Sequence, residues 1–223
     1  MKKHSSVVEL PYVPAPLKPL NTNQERYIKS IKTNTITFGI GSAGTGKSYI
    51  AASMAADMLK SRKIDKIIVT RPAVEAGEKL GFLPGFKEEK FEVYLDPVKS
   101  IFEERLGKSQ AEYLIKRNII EGKPMAYLRG QTFKNAFVLL DEAQNVSPGQ
   151  MYLFLTRIGE NCKVVVDGDV LQKDIPGRSG LQDAIDKLDN KLNDCKFIYF
   201  TIDDVVRSGI VRGIMELYAE HNN

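Results

Sequence analysis

Apolar residues along this chain fall into short continuous runs that alternate with segments of helical spacing. Five runs have the length and β-branched content of strands, at 35–40, 64–70, 135–142, 163–169 and 196–202. The run at 136–140 is wholly apolar, which indicates burial on both faces, as in a parallel sheet. Between the runs, apolar positions recur at intervals of three and four residues. The alternation predicts an α/β fold, in which a mainly parallel sheet is flanked by helices.

Capping residues place the helices between these strands. Asn21 or Asn23 is expected to cap a first helix that ends near Ile31, and Ser147 with Pro148 begins a later one. A final helix is expected to begin at Asp203 or Asp204. The other predicted helices cover 49–59, 96–106, 109–119 and 179–188.

Two segments do not fit this alternation. Four prolines within residues 1–20 predict an extended arm, which lies across the domain, contacts a neighbouring subunit or remains a loose tail. Residues 21–223 then form one domain with a helical and loop insertion at about 72–130. Within the insertion, three glycines and Pro84 predict a long shaped loop at 73–85.

The most informative stretch lies between the first predicted strand and the helix after it. Its sequence is Gly41-Ser42-Ala43-Gly44-Thr45-Gly46-Lys47-Ser48, a full match to the G-x-x-x-x-G-K-[ST] pattern. In a strand–loop–helix setting, backbone N–H groups and the helix N-terminus cradle phosphates. We expect ATP to contact these eight residues and Tyr49, with Lys47 on the β- and γ-phosphates and the Ser48 hydroxyl on Mg²⁺. A glycine-rich turn without a ligand is the alternative, and the full match argues against it.

Two carboxylates follow the most apolar of the predicted strands. Asp141 and Glu142 emerge at its carboxyl end, where open α/β sheets bind their ligands. A P-loop NTPase needs one acid near Mg²⁺ and a second that orients or deprotonates the attacking water. We therefore assign Asp141 to the metal and Glu142 to the water.

Four further polar residues are weaker candidates, each with an ordinary alternative. Gln172 follows a Gly-Asp-x-x-Gln turn that either senses the γ-phosphate or is simply polar. Arg207 is predicted in the first turn of the final helix, where it contacts a phosphate of its own or a neighbouring site, or forms a surface ion pair. Gln24 either faces an adenine edge or is an ordinary helix residue. Arg157 is interpreted as a surface residue.

Composition narrows the classes of function. Hydrophobic residues make up 43% and charged residues 27% of the 223 residues, as in a globular domain with a core. The net charge of +4, with basic residues concentrated at 116–129, permits nucleic-acid binding without demonstrating it. Those basic residues either contact phosphates or form a solvated surface.

The cysteines and termini indicate a cytoplasmic protein. Cys162 and Cys195 each adjoin an apolar run, so buried free thiols in a reducing compartment are expected. The two histidines lie near opposite ends, at 4 and 221, and no cluster has the spacing of a zinc site. We expect no membrane span and no signal peptide.

Taken together, the motifs resemble those of the PhoH-like family of P-loop ATPases, which is related to the superfamily 1 helicase core. The resemblance extends over about residues 20–215. It is specific because the loop Glu75-Ala-Gly-Glu-Lys-Leu-Gly-Phe-Leu-Pro-Gly85 is not a general P-loop feature. The other matching segments are 41–48, 70–72, 141–145, 155–159, 168–172 and 203–207.

The resemblance implies a RecA-like core, adenine recognition by Gln24 and a position for Arg71 near a nucleic-acid strand. Two positions depart from what we expect of the family. Asp167 stands where we expect Thr, and it is expected to add negative charge near the metal site. Ser208 stands where we expect His, so the roles that the family assigns to the start of the final helix apply less directly to this chain.

The resemblance also implies an oligomer. In a superfamily 1 motor ATP lies between two cores, and the second core supplies an arginine worth about a thousandfold in rate. A single core therefore needs a neighbouring subunit, or its hydrolysis is slow. We expect a ring-like homo-oligomer, with a hexamer favoured by the resemblance and Arg207 or Arg212 acting across the interface.

Three functions stay open at this point. The first is Mg²⁺-dependent ATP hydrolysis coupled to binding or remodelling of RNA or single-stranded DNA. The second is a nucleotide-switched protein-binding or assembly ATPase that does not touch nucleic acid. A small-molecule kinase is weaker, because the acidic pair and the Gln172 turn fit water activation better than transfer to an acceptor.

Overall fold

The computed structural model describes residues 13–72 and 93–220, and in the last helix it describes only part of the side chains, that of Arg212 not among them. The strands are β1 Ile36–Ile40, β2 Lys66–Arg71, β3 Ile120–Pro124, β4 Ala136–Leu140, β5 Lys163–Gly168 and β6 Cys195–Tyr199. The α-helices in these ranges are α1 Thr22–Thr33, α2 Lys47–Lys60, α3 Asp96–Leu106, α4 Lys108–Lys116, α5 Pro148–Leu155, α6 Gly180–Leu188 and α7 Gly209–Glu220.

The six strands form one sheet in the order β3-β2-β4-β5-β1-β6. All five pairings are parallel. The glycine-rich loop follows β1, which lies between β5 and β6, and one strand separates β1 from β4 and its acidic pair. The fold is a single RecA-like α/β domain, so the predicted fold class is confirmed.

The core lies on both faces of the sheet. One apolar cluster joins α1, α2, α3 and α4 to one face, and Tyr27 and Phe102 are among its fully buried members. A second cluster covers the other face under α5 and α6 and includes Phe38 and Phe154. Because β4 and the centre of β5 are buried on both faces, β4 is wholly apolar and β5 carries three successive valines, 164–166.

The caps predicted for α1 and α5 are present. The Asn21 side chain accepts a hydrogen bond from the backbone N–H of Gln24 and begins α1. Ser147 and Gln150 form a reciprocal capping box at the start of α5, with Pro148 in its first turn. These caps fix where each helix begins relative to the strand before it.

One strand was missing from the prediction. The helix expected to reach residue 119 ends at Lys116, and the chain then forms β3, which pairs with β2 at the edge of the sheet. Glu121 of this strand forms ion pairs with Lys66 and Lys123. Part of the expected basic surface at 116–129 is therefore neutralised within the sheet edge.

The prediction for the start of the last helix is wrong. Residues 202–204 form a short 3₁₀ turn, and α7 begins only at Gly209. The Asp204 carboxylate caps the turn by accepting from the Thr201 N–H and also accepts from Asn23. Arg207 consequently lies in the connection before α7 rather than in its first turn.

Part of the predicted arm lies across the domain. Residues 13–19 have no regular structure, the Ala15 carbonyl accepts a hydrogen bond from the buried Arg105 guanidinium, and Leu17 packs against the core. Residues 1–12, the predicted loop at 73–85 and the Glu75–Gly85 motif lie outside the described residues, as does His221. The boundary between arm and domain stays a prediction.

Candidate nucleotide-binding site

A cleft of about 410 Å³ opens at the carboxyl edge of the sheet. Its walls come from the glycine-rich loop, the ends of β2, β4 and β5, the start of α3 and the connection before α7. The lining residues are Gly41, Ala43, Gly44, Gly46, Lys47, Ser48, Tyr49, Arg71, Pro97, Ile101, Asp141, Glu142, Gly168, Asp169, Gln172, Val206 and Arg207. The topology therefore brings together most of the residues that the sequence singles out.

The loop needs glycine where it turns tightly. Gly41 has φ +135°, and a Cβ there would lie 2.1 Å from the Phe200 carbonyl oxygen. Its N–H donates to the Gly168 carbonyl at 3.0 Å, which ties the loop to the end of β5. Gly46, with φ +87°, begins α2, so the helix N-terminus points into the cleft. The backbone has the form of a phosphate cradle.

Lys47 places its ammonium group inside this loop. Its Nζ donates to the Gly41 and Ser42 carbonyls at 2.7 and 2.8 Å and to the Thr45 hydroxyl at 3.2 Å. Burial lowers the pKa of Lys47, while the surrounding carboxylates oppose that shift, those of Asp167 and Asp169 most strongly. The ammonium group lies where the pattern expects contacts to phosphate oxygens.

Ser48 and Asp141 meet at the mouth of the loop. The Ser48 hydroxyl donates to Asp141 Oδ1 at 3.3 Å. Burial raises the pKa of Asp141, and the Arg71 guanidinium counteracts this. Mg²⁺ prefers oxygen ligands and usually takes one or two from a protein, with phosphates and waters supplying the rest. The hydroxyl and carboxylate fit such an ion.

Glu142 is held in an unusual backbone conformation. Its φ is +55°, which is uncommon for residues other than glycine and marks a position fixed by its surroundings. The Gln144 side-chain amide donates to Glu142 Oε2 at 2.6 Å. The carboxylate therefore lines the cleft beside Asp141 with one oxygen anchored.

Arg71 lies in the cleft, which the sequence did not predict. Its guanidinium Nε is 3.6 Å from Asp141 Oδ2, and a terminal nitrogen is 3.5 Å from Glu142 Oε1. Arg71 is the last residue of β2, which neighbours β4, so both strands end at the same edge. That position at a strand end is the signal from which its place could have been inferred.

The remaining candidates divide into two groups. Gln172, Arg207 and Tyr49 line the cleft, and the Tyr49 hydroxyl donates to Glu104 at 2.7 Å. Gln24 is 2% exposed and is not among the lining residues. Its Nε2 donates to the Thr45 carbonyl at 2.9 Å and its Oε1 accepts from the Leu20 N–H, so Gln24 supports the loop. Adenine recognition by Gln24 stays a prediction.

Asp167 lies beneath the cleft, away from its lining. The residue is 1% exposed, and Tyr27 of α1 donates its hydroxyl hydrogen to Oδ1. Oδ2 has no hydrogen-bond partner within the described residues. Burial raises the pKa of Asp167 to about 7, with the Tyr27 hydrogen bond and Lys47 opposing the rise. The negative charge that the sequence predicts at this position is therefore buried, and its raised pKa reduces that charge near neutral pH.

The comparison with protein families assigns this chain to a family. A family model described as "PhoH-like protein" matches residues 16–219. This chain belongs to the PhoH-like family. A PhoH-like protein of Bacillus subtilis (strain 168) is 47% identical over 201 residues, which cover 89% of this chain and 63% of the relative. The resemblance inferred from the motifs is confirmed.

Other members of the family give the same result. A PhoH-like protein of Mycobacterium tuberculosis (strain ATCC 25618 / H37Rv) is 46% identical over 207 residues, 92% of this chain and 58% of the relative. Protein PhoH of Escherichia coli (strain K12) is 43% identical over 209 residues, 92% of this chain and 59% of the relative. The chain thus spans 58 to 63% of the length of these three relatives.

Among solved structures, Pif1 helicase from Candida albicans matches with a TM-score of 0.42 and 16% identity. The match covers 83% of this chain and 40% of that chain, and a similarity this weak does not indicate function. Family and fold are together those of a P-loop protein with a RecA-like core. Cys162 and Cys195 are buried free thiols. In residues 13–72 and 93–220, no helix is both long and apolar enough to cross a bilayer.

Proposed function

We propose that this chain hydrolyses ATP in a Mg²⁺-dependent reaction within the cleft. The observation that supports this most strongly is the convergence of three features at one edge of the sheet. These are the phosphate-binding loop, the Ser48–Asp141 pair suited to Mg²⁺, and the Glu142 carboxylate beside them. They come from the ends of two strands, β1 and β4, which β5 separates in the sheet, so their meeting depends on the order of the strands.

In the proposed reaction Glu142 takes a proton from the attacking water. The water oxygen forms a bond to the γ-phosphorus, and the bond from that phosphorus to the β–γ bridging oxygen breaks, leaving ADP and phosphate. Mg²⁺, when bound by Ser48 and Asp141, neutralises phosphate charge. Lys47 from the loop and Arg71 from the end of β2 add positive charge to the cleft, where charge builds up in the transition state.

Arg207 is the candidate for a further phosphate contact. It lines the cleft next to the loop, and the adjacent Val206 N–H donates to the Gly44 carbonyl at 3.0 Å. A change in the loop is therefore transmitted directly to the segment that carries Arg207 and leads into α7. We propose that Arg207 contacts phosphate, within its own subunit or across a homo-oligomeric interface.

Coupling to RNA or single-stranded DNA is the favoured use of this hydrolysis. It rests on the helicase-like order of the motifs and on the basic residues 116–129 that are not paired with Glu121. The second candidate is an assembly ATPase, favoured by the apolar side chains of Ile210 and Ile214, which are 74% and 49% exposed on α7. Such a face suits binding to protein better than to a polyanion.

Steady-state ATP hydrolysis with and without single-stranded RNA and DNA separates these candidates. Lys47→Ala is the control that removes phosphate binding. Stimulation by polymer that declines with added salt supports nucleic-acid coupling. Hydrolysis that is indifferent to both polymers favours the assembly ATPase, and a turnover equal to that of Lys47→Ala contradicts both.

A further inference from the structure

The side-chain amide of Gln144 connects two parts of the cleft that are distant in sequence. Gln144 lies in the 3₁₀ turn Ala143–Asn145 that follows the acidic pair, and it is 1% exposed. Its Nε2 donates to Glu142 Oε2 at 2.6 Å, while its Oε1 accepts from the Asp169 N–H at 3.0 Å. The donor must face the carboxylate and the acceptor the N–H, so only one orientation of the amide satisfies both.

Gly168 leaves space for this contact, and Asn145 reinforces it. A Cβ on Gly168 would lie 2.8 Å from Gln144 Oε1 and 2.7 Å from Leu181, so glycine leaves the room that the amide occupies. Asn145 forms a second link to the same segment. Its Nδ2 donates to Asp174 Oδ2 at 3.2 Å, and its Oδ1 accepts from the Asp174 N–H at 2.8 Å.

These contacts hold the segment 169–174 at both ends against the turn that follows Glu142. Gln172, which lines the cleft, lies between the two anchored ends. The Glu142 side chain is 42% exposed, and the Gln144 hydrogen bond adds to the 3.5 Å ion pair with Arg71 in fixing its orientation. With Oε2 held by Gln144, Oε1 is the oxygen that faces Arg71 and remains for the water proton.

We infer that Gln144 is a positioning residue that orients the Glu142 carboxylate and couples it to the Gln172 segment. The inference rests on the proposed hydrolysis, since it assigns Gln144 no chemistry of its own. Its consequence is that a displacement of the Gln172 segment rotates Glu142, so the state of the γ-phosphate and the readiness of the base are linked. The competing role is purely structural: Gln144 only satisfies the buried Asp169 N–H.

Two substitutions separate these roles. Gln144→Glu keeps an acceptor for the Asp169 N–H but replaces the donor to Glu142 with a second carboxylate. Gln144→Leu removes both hydrogen bonds. Amide hydrogen exchange at Asp169 checks this design directly: it should remain slow in Gln144→Glu and become fast in Gln144→Leu. Gln110→Glu, an exposed change on α4, is the matched control.

The decisive measurement is kcat and KM for MgATP. Misplacing a catalytic group by about 1 Å costs on the order of a hundredfold in rate, so both Gln144 variants should lose about ten- to a hundredfold in kcat. KM should stay within about twofold, because no phosphate contact is lost. In a Glu142→Gln background neither substitution should lower kcat further, since the group through which Gln144 acts has already been removed.

Either of two results would overturn this inference while leaving the proposed hydrolysis intact. One is a wild-type kcat in Gln144→Glu above about pH 8, where the new carboxyl is ionised and cannot donate to Glu142, because that result leaves only the structural role. The other is a loss that multiplies with that of Glu142→Gln. Gln144→Glu carries the test even if Gln144→Leu fails to fold. Absence of turnover in the wild-type chain overturns the proposed function, and the inference with it.

Discussion

The buried Asp167 carboxyl should make the stability of this protein depend on pH in an unusual direction. Burial raises its pKa from 3.8 to about 7. One pKa unit corresponds to about 1.4 kcal/mol, so ionising this group in the folded protein costs of the order of 4 kcal/mol. The perturbation that exposes this cost is Asp167→Asn, which cannot ionise but keeps an oxygen for the Tyr27 hydroxyl.

The sign follows from the protons bound by each state. Between about pH 4 and 7 the folded state keeps a proton on Asp167 that the unfolded chain has lost, so stability falls as the pH rises through this window. From pH 5 to 8 the loss amounts to about 2 to 3 kcal/mol. The pKa of Asp141 is also raised by burial and contributes in the same direction, so some slope should remain in the variant.

Urea unfolding of wild type and Asp167→Asn at pH 5 and pH 8 measures this difference. The free energy of unfolding should fall between the two pH values by about 2 to 3 kcal/mol less in the variant than in the wild type. Asp65→Asn, an exposed change before β2, is the control and should follow the wild type. Equal pH dependence of wild type and Asp167→Asn would refute the reasoning.

Three other substitutions test the packing, the cleft and the assembly. Gly39→Ala should destabilise the fold by about 1 to 3 kcal/mol in urea unfolding. The reason is that the added Cβ would lie 2.5 Å from Asp167 Oδ1 and 2.9 Å from the Tyr27 ring; an unchanged midpoint contradicts this packing. Arg71→Ala should lower the kcat of ATP hydrolysis about tenfold by removing a cation from the cleft, with RNA affinity unchanged in filter binding. Intact basal turnover with weakened RNA binding would instead place Arg71 on the polymer. Arg207→Ala should lose up to about a thousandfold in kcat if it acts as an arginine finger. Sedimentation with nucleotide should then show an oligomer, and fast turnover by a monomer would contradict the assembly.

The interior of the sheet was predictable, whereas its edge was not. Strands β4 and β5 are buried on both faces, so burial alone makes their sequences apolar and recognisable. Strand β3 lies at the edge of the described sheet, where Glu121 and Pro124 are tolerated because one side of the strand has no neighbour among the described strands. Its strand conformation depends on pairing with β2, a distant contact that a local pattern does not record.

The candidate site also combines residues whose place in the cleft could be predicted from the sequence with residues whose place could not. Lys47, Ser48 and Asp141 were predictable because phosphate and Mg²⁺ chemistry demands those residue types at fixed spacing. Arg71 is distant from the acidic pair in sequence, and the order of the strands brings it there. Gln144 follows the pair directly, but its contact with the Asp169 N–H joins two distant segments that a local pattern does not record. Arg207 was expected within a helix because Asp203 and Asp204 are good caps. The Asp204 side chain instead binds Thr201 and Asn23, and α7 starts later.

A single-turnover experiment with Glu142→Gln tests the central claim most directly. Radiolabelled ATP is mixed with an excess of wild type or variant in the presence of Mg²⁺, and bound ATP and released phosphate are followed. The account predicts that the variant binds ATP as tightly as the wild type. It should release phosphate at about one hundredth of the wild-type rate, or at a lower rate. Phosphate release by Glu142→Gln at the wild-type rate would show that this carboxylate does not activate the water.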